Sequence, residues 1–201
     1  MTATDDMEKH AEIIQPIDRA LLLKELNADT FLRKANNGTN ELYVVNATNA
    51  PQTLREIGRV REVTFRASGG GTGLDCDLDP FDTDPNGYEQ LIVWNPEDQE
   101  IVGGYRFIRC SKALRPDGEY NLATTELFQF TEKFKKEFLP YTIELGRSFV
   151  QPLYQPSANN RKGLFSLDNL WDGLGALIID NPDIRYFYGK VTIYGHYDVR
   201  S

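Results

Sequence analysis

The sequence is short of the residues that many catalytic centres are built from. It has two histidines, His10 and His196, at opposite ends of the chain, and two cysteines, Cys76 and Cys110. Neither histidine has a strong partner near it in sequence, which argues against a His-based triad or a zinc site. The cysteines make no metal spacing. With no signal-peptide core at the N-terminus, they are expected to be reduced thiols. No apolar run approaches the roughly 20 residues of a membrane span. Positive charge is also scarce, with 22 Lys and Arg against 30 Asp and Glu, a net charge of −8. No basic stripe offsets that balance, so nucleic-acid binding is not expected. The expected setting is cytoplasmic, with a peripheral contact to the inner face of the membrane left open.

What is present is a globular composition: 201 residues, 40% hydrophobic and 11% aromatic, enough for one domain with a sizeable core. Residues 1–40 read as a helical extension. Pro16 opens a run with Ile17, Leu21, Leu22 and Leu26 near helical spacing, and Asp29 could cap a second short helix ending at Asn36-Asn37-Gly38. Residues 41–47 form a strand. A helix over 53–66 follows, with Thr53 and Glu56 in capping-box spacing. Its buried stripe is Leu54, Ile57, Val60 and Val63, and Arg55, Arg59, Arg61, Glu62 and Arg66 decorate it; Arg61 and Phe65, four apart, are neighbours on one face. Residues 68–73 are a glycine-rich loop, read as mobile. It runs into Asp75, Asp77, Asp79, Asp82 and Asp84, which would repel a phosphate, and Pro80 and Asn86 break the calcium-loop pattern.

Residues 88–94 and 100–110 form a hairpin whose second strand puts Arg106 on a face with Val102, Gly104 and Ile108. Arg106 therefore needs a carboxylate, either Glu144 or an aspartate at 77–82. A helix over 125–138 is expected to bury Leu127, Phe130, Phe134 and Phe138 and to show Lys133, Lys135 and Lys136. Ser166 caps a further helix with Leu170, Trp171, Leu174, Leu177 and Ile178 on its face, and a last strand spans 185–194. The order is β-α-β-β-α-β-α-β around one mixed sheet, an α/β (α+β) chain.

The chain is organised around residues 141–150, YTIELGRSFV. A regular pleat puts Thr142, Glu144, Gly146 and Ser148 on one face, and Tyr141, Ile143, Leu145, Arg147 and Phe149 on the other. An ionisable group on each face of an interior strand is costly unless paired. Gly146 between them marks a bulge, or a backbone or ligand approaching closely. A buried Glu–Arg pair that merely fixes register is the plain structural alternative.

These residues together resemble the acyl-carrier-protein-dependent N-acyltransferases: the ornithine-lipid and glycine-lipid enzymes, sometimes labelled haemolysin-like, and more distantly the acyl-homoserine-lactone synthases. All are variants of the GNAT fold. The resemblance is carried, in order, by Arg61-x-x-x-Phe65, by Asp77-Leu-Asp79-Pro-Phe-Asp82, and by Tyr88–Trp94 with Gly103-Gly104-Tyr105-Arg106. It continues through Glu144-Leu-Gly-Arg147, Leu170-Trp171-Asp172-Gly173 and Tyr188-Gly189-Lys190. It implies a mostly antiparallel GNAT-like sheet flanked by helices over 41–201. The GNAT pyrophosphate loop is absent after the central strand, which suits a donor on a carrier protein better than free coenzyme A. The sequence stops where such a domain usually continues with another helix and strands.

The implied reaction moves a fatty acyl group from an acyl-phosphopantetheine thioester on acyl carrier protein to the amine of an amino acid, with acyl-CoA as another donor and no bound cofactor or metal. Amide formation needs a deprotonated amine, a polarised carbonyl and alignment of the two. Glu144 is the expected proton acceptor, directly or through a water. Arg106 and Arg147 would hold the acidic run or grip the acceptor carboxylate. Arg61, Phe65, Asp79, Asp82, Gly146, Ser148 and Trp171 complete the substrate site, with the Phe-rich helix and Trp171 available to line an acyl tunnel. Lys133, Lys135, Lys136, Arg161 and Lys162 are the candidate docking patch for an acidic carrier. The alternatives are a non-catalytic module that binds acylated carrier or lipid, and an acetyl-CoA-dependent acetyltransferase.

Overall fold

The computed structural model describes residues 10–155 and 163–191. Six strands make one sheet in the order β1-β2-β3-β4-β5-β6. These are β1 (Phe31–Lys34), β2 (Glu41–Val45), β3 (Glu89–Asn95), β4 (Glu100–Arg109), β5 (Thr142–Val150) and β6 (Tyr186–Gly189). Every neighbouring pair is antiparallel except β5 and β6, which run parallel through the crossover helix α5 (Ser166–Asp180). One face of the sheet packs against α1 (Arg19–Glu25) and α2 (Pro51–Ala67), through Leu22, Ile57, Val60, Ile92, Trp94 and Phe149. The other face packs against α5 through Leu91, Phe107, Ile143 and Leu177. The mixed α/β class with a mostly antiparallel sheet is as the sequence implies.

The second short helix expected after Asp29 is instead the edge strand β1, antiparallel to β2. Thr30 turns the chain, its hydroxyl donating to the Glu25 carbonyl and accepting from Asn27 N–H. Four residues have little helix propensity to set against a row of ladder bonds, so sheet pairing decides. The capping box at Thr53 and Glu56 is also absent. The helix starts earlier, at Pro51, and Glu25 of α1 caps it in trans: its carboxylate accepts from Gln52 N–H at 3.0 Å, Thr53 N–H at 2.7 Å and Thr53 Oγ1 at 2.8 Å. Glu56 instead accepts from Ile17 N–H, Arg19 and Arg59.

Two further expectations fail locally. The helix over 125–138 breaks into a 3-10 turn (Ala123–Glu126) and a short α4 (Glu132–Glu137), because Thr131 caps a new start by accepting from Phe134 N–H. Leu127 and Phe128 are left exposed, and Phe130 and Phe134 are only partly buried. Ser166 does not cap α5; its hydroxyl donates to the Tyr154 carbonyl. Residues 192–194 of the expected last strand lie outside the described residues.

Because Glu25 satisfies two otherwise orphaned N–H groups of α2, Glu25→Ala should cost about 1 kcal/mol of stability. Urea unfolding checks this, with Glu25→Asp expected to fall in between.

Candidate active site

The site is built on the middle of β4 and β5. Register pairs Ile108 with Glu144 and Arg106 with Gly146, but Gly104 with Phe149, so β5 carries one extra residue between the two pairings. Arg147 sits in that bulge with φ +53, the left-handed region. The bulge overturns the simple alternation expected from the sequence. It swings Phe149 to the α2 face, where it joins the core beside Trp94, and brings Arg147 to the side that holds Arg106. Gly146 gives room rather than backbone freedom: a Cβ there would come within a tight 3.3 Å of Arg106 Nε.

On that face lies a buried ion network. Arg61 is fully buried and not the surface decoration expected of it. It grips Asp82 with two bonds of 3.1 and 2.8 Å, and also bonds the Asp77 side chain at 3.2 Å and the Asp77 carbonyl at 2.5 Å. Arg106 donates to Asp79 at 2.7 Å and Asp82 at 3.2 Å, so its partners come from the acidic run and not from Glu144. Arg147 reaches Asp77 at 3.2 Å and Asp79 at 3.5 Å. Gln90 adds a bond to Asp82 at 2.9 Å. Asp79 and Asp82 are placed for this by a capping box on the one-turn helix α3 (Pro80–Thr83). Three guanidinium groups thus face three carboxylates, a balanced set. Burial alone would raise the Asp82 carboxyl, but the bonds from Arg61 and the charges of Arg61 and Arg106 outweigh it and hold it well below the usual range.

Glu144 belongs to an adjoining cluster. Its Oε1 accepts from the Tyr88 hydroxyl and its Oε2 from Thr124 Oγ1, both at 2.6 Å, and only 2% of the residue is exposed. The Tyr88 oxygen in turn accepts from Ala123 N–H at 2.8 Å. Burial first, and the Glu144 charge second, push the Tyr88 hydroxyl well above its ordinary pKa, so it stays a donor. The Tyr88 ring also lies under the Arg106 guanidinium, 4.9 Å from the centroid, and so joins the ion network to the Glu144 cluster. On the next strand Tyr188 pairs in register with Glu144. The β5–β6 pairing ends one step later, at Leu145 and Gly189, so among the described residues the rest of β5 has no neighbour on that side.

The other expected site residues are scattered. Phe65 packs partly buried against the α1/α2 core. Ser148 is exposed. Trp171 is 71% exposed on the outer side of α5, and α5 covers the opposite face of the sheet from Glu144, so it lines no tunnel there. Lys133 and Lys136 are exposed, but Lys135 is committed to Glu119 and Glu132. Arg161 and Lys162 lie outside the described residues. The glycine-rich loop is fastened and not loose: Glu62, also buried and not outward, accepts from Thr72 N–H, Thr72 Oγ1 and Gly73 N–H. The loop's amides thus wrap the protein's own carboxylate. Burial raises the Cys110 thiol to about 12 and the Cys76 thiol to about 11, so both stay protonated. Tyr88, Thr124, Gln90 and Tyr188 received no role from the sequence. Tyr88, Gln90 and Tyr188 did lie within the stretches that carry the family resemblance; Thr124 had no such signal.

The mostly antiparallel sheet with one parallel pair and its crossover helix is the mixed α/β arrangement of the GNAT fold. The family model for the GNAT acetyltransferase domain matches residues 60–162, and the chain belongs to that family. Its sequence is 52% identical over 191 residues to a glycine N(alpha)-acyltransferase of Bacteroides thetaiotaomicron, covering 94% of this chain and 57% of that protein. It is 51% identical over 187 residues to a glycine N(alpha)-acyltransferase of Phocaeicola vulgatus, covering 92% of this chain and 57% of that one. The chain therefore spans a little over half the length of these relatives. No solved structure matches it.

A carboxyl held low in the folded state stabilises the fold fully above its unfolded value of about 4, and that contribution fades as pH falls through the folded value. Asp82→Asn should therefore cost about 3–5 kcal/mol at pH 7, having broken a buried pair. It should also flatten the loss of stability below about pH 4 that wild type shows in acid titration of its urea midpoint.

Proposed function

We propose that this chain carries out acyl transfer to glycine: a fatty acyl group leaves a thioester on acyl carrier protein and is joined to the glycine amine. In the step the amine nitrogen attacks the thioester carbonyl and the C–N bond forms. The C–S bond then breaks; of the two protons the glycine ammonium loses overall, the first passes to the enzyme before attack and the second passes from the nitrogen of the tetrahedral intermediate to the departing carrier thiolate. The observation that carries the reading is the name shared by two relatives more than half identical to this chain over more than nine-tenths of its length. The geometry supports it through Glu144, a buried carboxylate at the rung before β5 loses its β6 neighbour. That edge, unpaired among the described residues, offers backbone groups to a pantetheine arm and to the thioester oxygen.

The roles divide accordingly. Glu144 is the final proton acceptor. Arg106, with Arg61, Asp79 and Asp82, is the frame that fixes β4 against the acidic run. Arg147, 31% exposed, is the guanidinium left within reach of the glycine carboxylate. Ser148, exposed on the unpaired stretch of β5, and Gly146 beside it border the donor arm. The carrier as donor rests on the family resemblance and on the segment after β5, where Pro152–Tyr154 form a 3-10 turn and the sequence has no glycine-rich pyrophosphate loop. Lys133 and Lys136 remain the described candidates for docking it. We place the reaction in the cytoplasm, with the amphiphilic product entering the inner face of the membrane.

With palmitoyl-loaded carrier and glycine, the chain should release N-palmitoylglycine detectable by mass spectrometry. Glu144→Gln should keep its circular dichroism spectrum and carrier binding while turnover falls at least about 100-fold. A fully active variant would remove Glu144 from the mechanism, and carrier binding without product from the unsubstituted chain would favour a binding module.

A further inference from the structure

The Arg106 guanidinium is used on one side only. Its Nη1 donates to Asp79 at 2.7 Å and to Asp82 at 3.2 Å. Its Nε is buried and finds no acceptor among the described residues, and Nη2 donates to none of them either. Only 5% of the residue is exposed, so the idle donor bears a desolvation cost that no bond repays. The rings of Phe81 and Tyr88, 5.7 and 4.9 Å from the guanidinium carbon, hold the group in place. The idle edge lies over Gly146. A Cβ on that glycine would stand 3.3 Å from Arg106 Nε and 3.6 Å from its Cγ, and beyond its chain neighbours nothing else lies within 4 Å of that point. Gly146 is itself partly exposed, and it is the first residue of β5 past the pairing with β6.

Resting on the glycine N-acyltransferase reading, we propose that Arg106 is a catalytic residue as well as part of the frame. Its Nε–H, flanked by Nη2, receives the thioester carbonyl oxygen over Gly146 and holds the negative charge that forms there. Charge selects this ligand. Three guanidinium groups already balance three carboxylates in the network, so a buried anion would leave the set with an uncompensated charge. A carbonyl oxygen is neutral until the amine attacks. The electron pair of the C=O π bond then moves onto oxygen as the C–N bond forms, and returns as the C–S bond breaks. Arg106 gives up no proton in either step. A fixed, charged donor bonds most strongly at the moment the oxygen is charged, which is where binding lowers the barrier. The partner groups are placed to match. Glu144 lies two residues back on β5, about 7 Å along the strand. Tyr88 touches both it and Arg106, so the amine has its target on one side and its proton acceptor on the other.

The test loads the carrier with palmitate labelled with carbon-13 at the thioester carbonyl, and records the infrared band of that carbonyl on the chain without glycine. The band should move to lower frequency on the unsubstituted chain. Arg106→Lys keeps a cation beside Asp79 and Asp82 but has no second edge to offer. It should lose the shift and lower the single-turnover rate with glycine about 100-fold, with little change in the glycine concentration giving half-maximal rate. Gly146→Ala keeps every member of the ion network and presses on Nε alone, so it should reduce the shift and the rate together. An unshifted band on the unsubstituted chain overturns the proposal whatever the variants do. Arg106→Lys at full rate overturns it too, and so does a slow Arg106→Lys that keeps the shift, since the residue would then act only through the frame. In each of these cases N-palmitoylglycine from the unsubstituted chain leaves the glycine reading standing. No N-palmitoylglycine from that chain overturns both.

Discussion

The buried pairing of Arg61 with Asp82 is the constraint on which the rest of this molecule depends. Neither group tolerates burial without the other, and removing either partner leaves a charge stranded in the core. The pairing joins the middle of α2 to the one-turn helix α3, and Arg106 extends it to the centre of the sheet. The acidic loop and its one-turn helix α3 would otherwise have little to fix them against β4. The network supplies that fixation with three positive and three negative groups, so it adds rigidity without adding net charge.

From this frame the geometry of the reacting region follows. Arg106 lies close over Gly146, where an added Cβ would come within 3.3 Å of its Nε and press it aside. The bulge after Gly146 then turns Arg147 toward the same aspartates and leaves part of it open to solvent. Tyr88 is the joint: its ring supports Arg106 while its hydroxyl holds Glu144. A disturbance of the ion network therefore reaches the carboxylate through one aromatic side chain. Among the described residues the β5–β6 ladder stops beside that carboxylate, so a rigid site adjoins a stretch of β5 with no described neighbour on that side.

Much of this was legible in the sequence, for identifiable reasons. The hairpin of β3 and β4, helix α2 and helix α5 announce themselves through periodicity, and Asn181-Pro182 ends α5 where expected. Arg106 among apolar neighbours demanded a carboxylate, and the acidic run was one of two places to look. What failed was mostly set by long-range contact. Four residues after Asp29 pair with β2 because an edge was available, which no local signal reports. Glu25 outcompetes Thr53 as a cap from another helix, and Arg61 and Glu62 look like surface charges until their partners arrive from 10 to 21 residues away. The alternation of β5 broke at one extra residue, so Arg147 and Phe149 were assigned to the wrong face. Thr124 is an ordinary polar residue in sequence and Tyr188 stood there only as part of a family stretch; what they contact appears only once the fold sets them beside Glu144.

The central claim is that this site joins a carrier-borne acyl group to glycine. The most direct measurement offers palmitoyl-loaded carrier and an equimolar pool of the standard amino acids to the chain, and reads every N-acyl product by mass spectrometry. The account predicts that N-palmitoylglycine dominates and that palmitoyl-CoA at the same concentration gives much less of it. Preferential acylation of another amino acid would contradict the acceptor, equal use of palmitoyl-CoA would contradict the carrier as donor, and no N-acyl product at all would contradict the transferase.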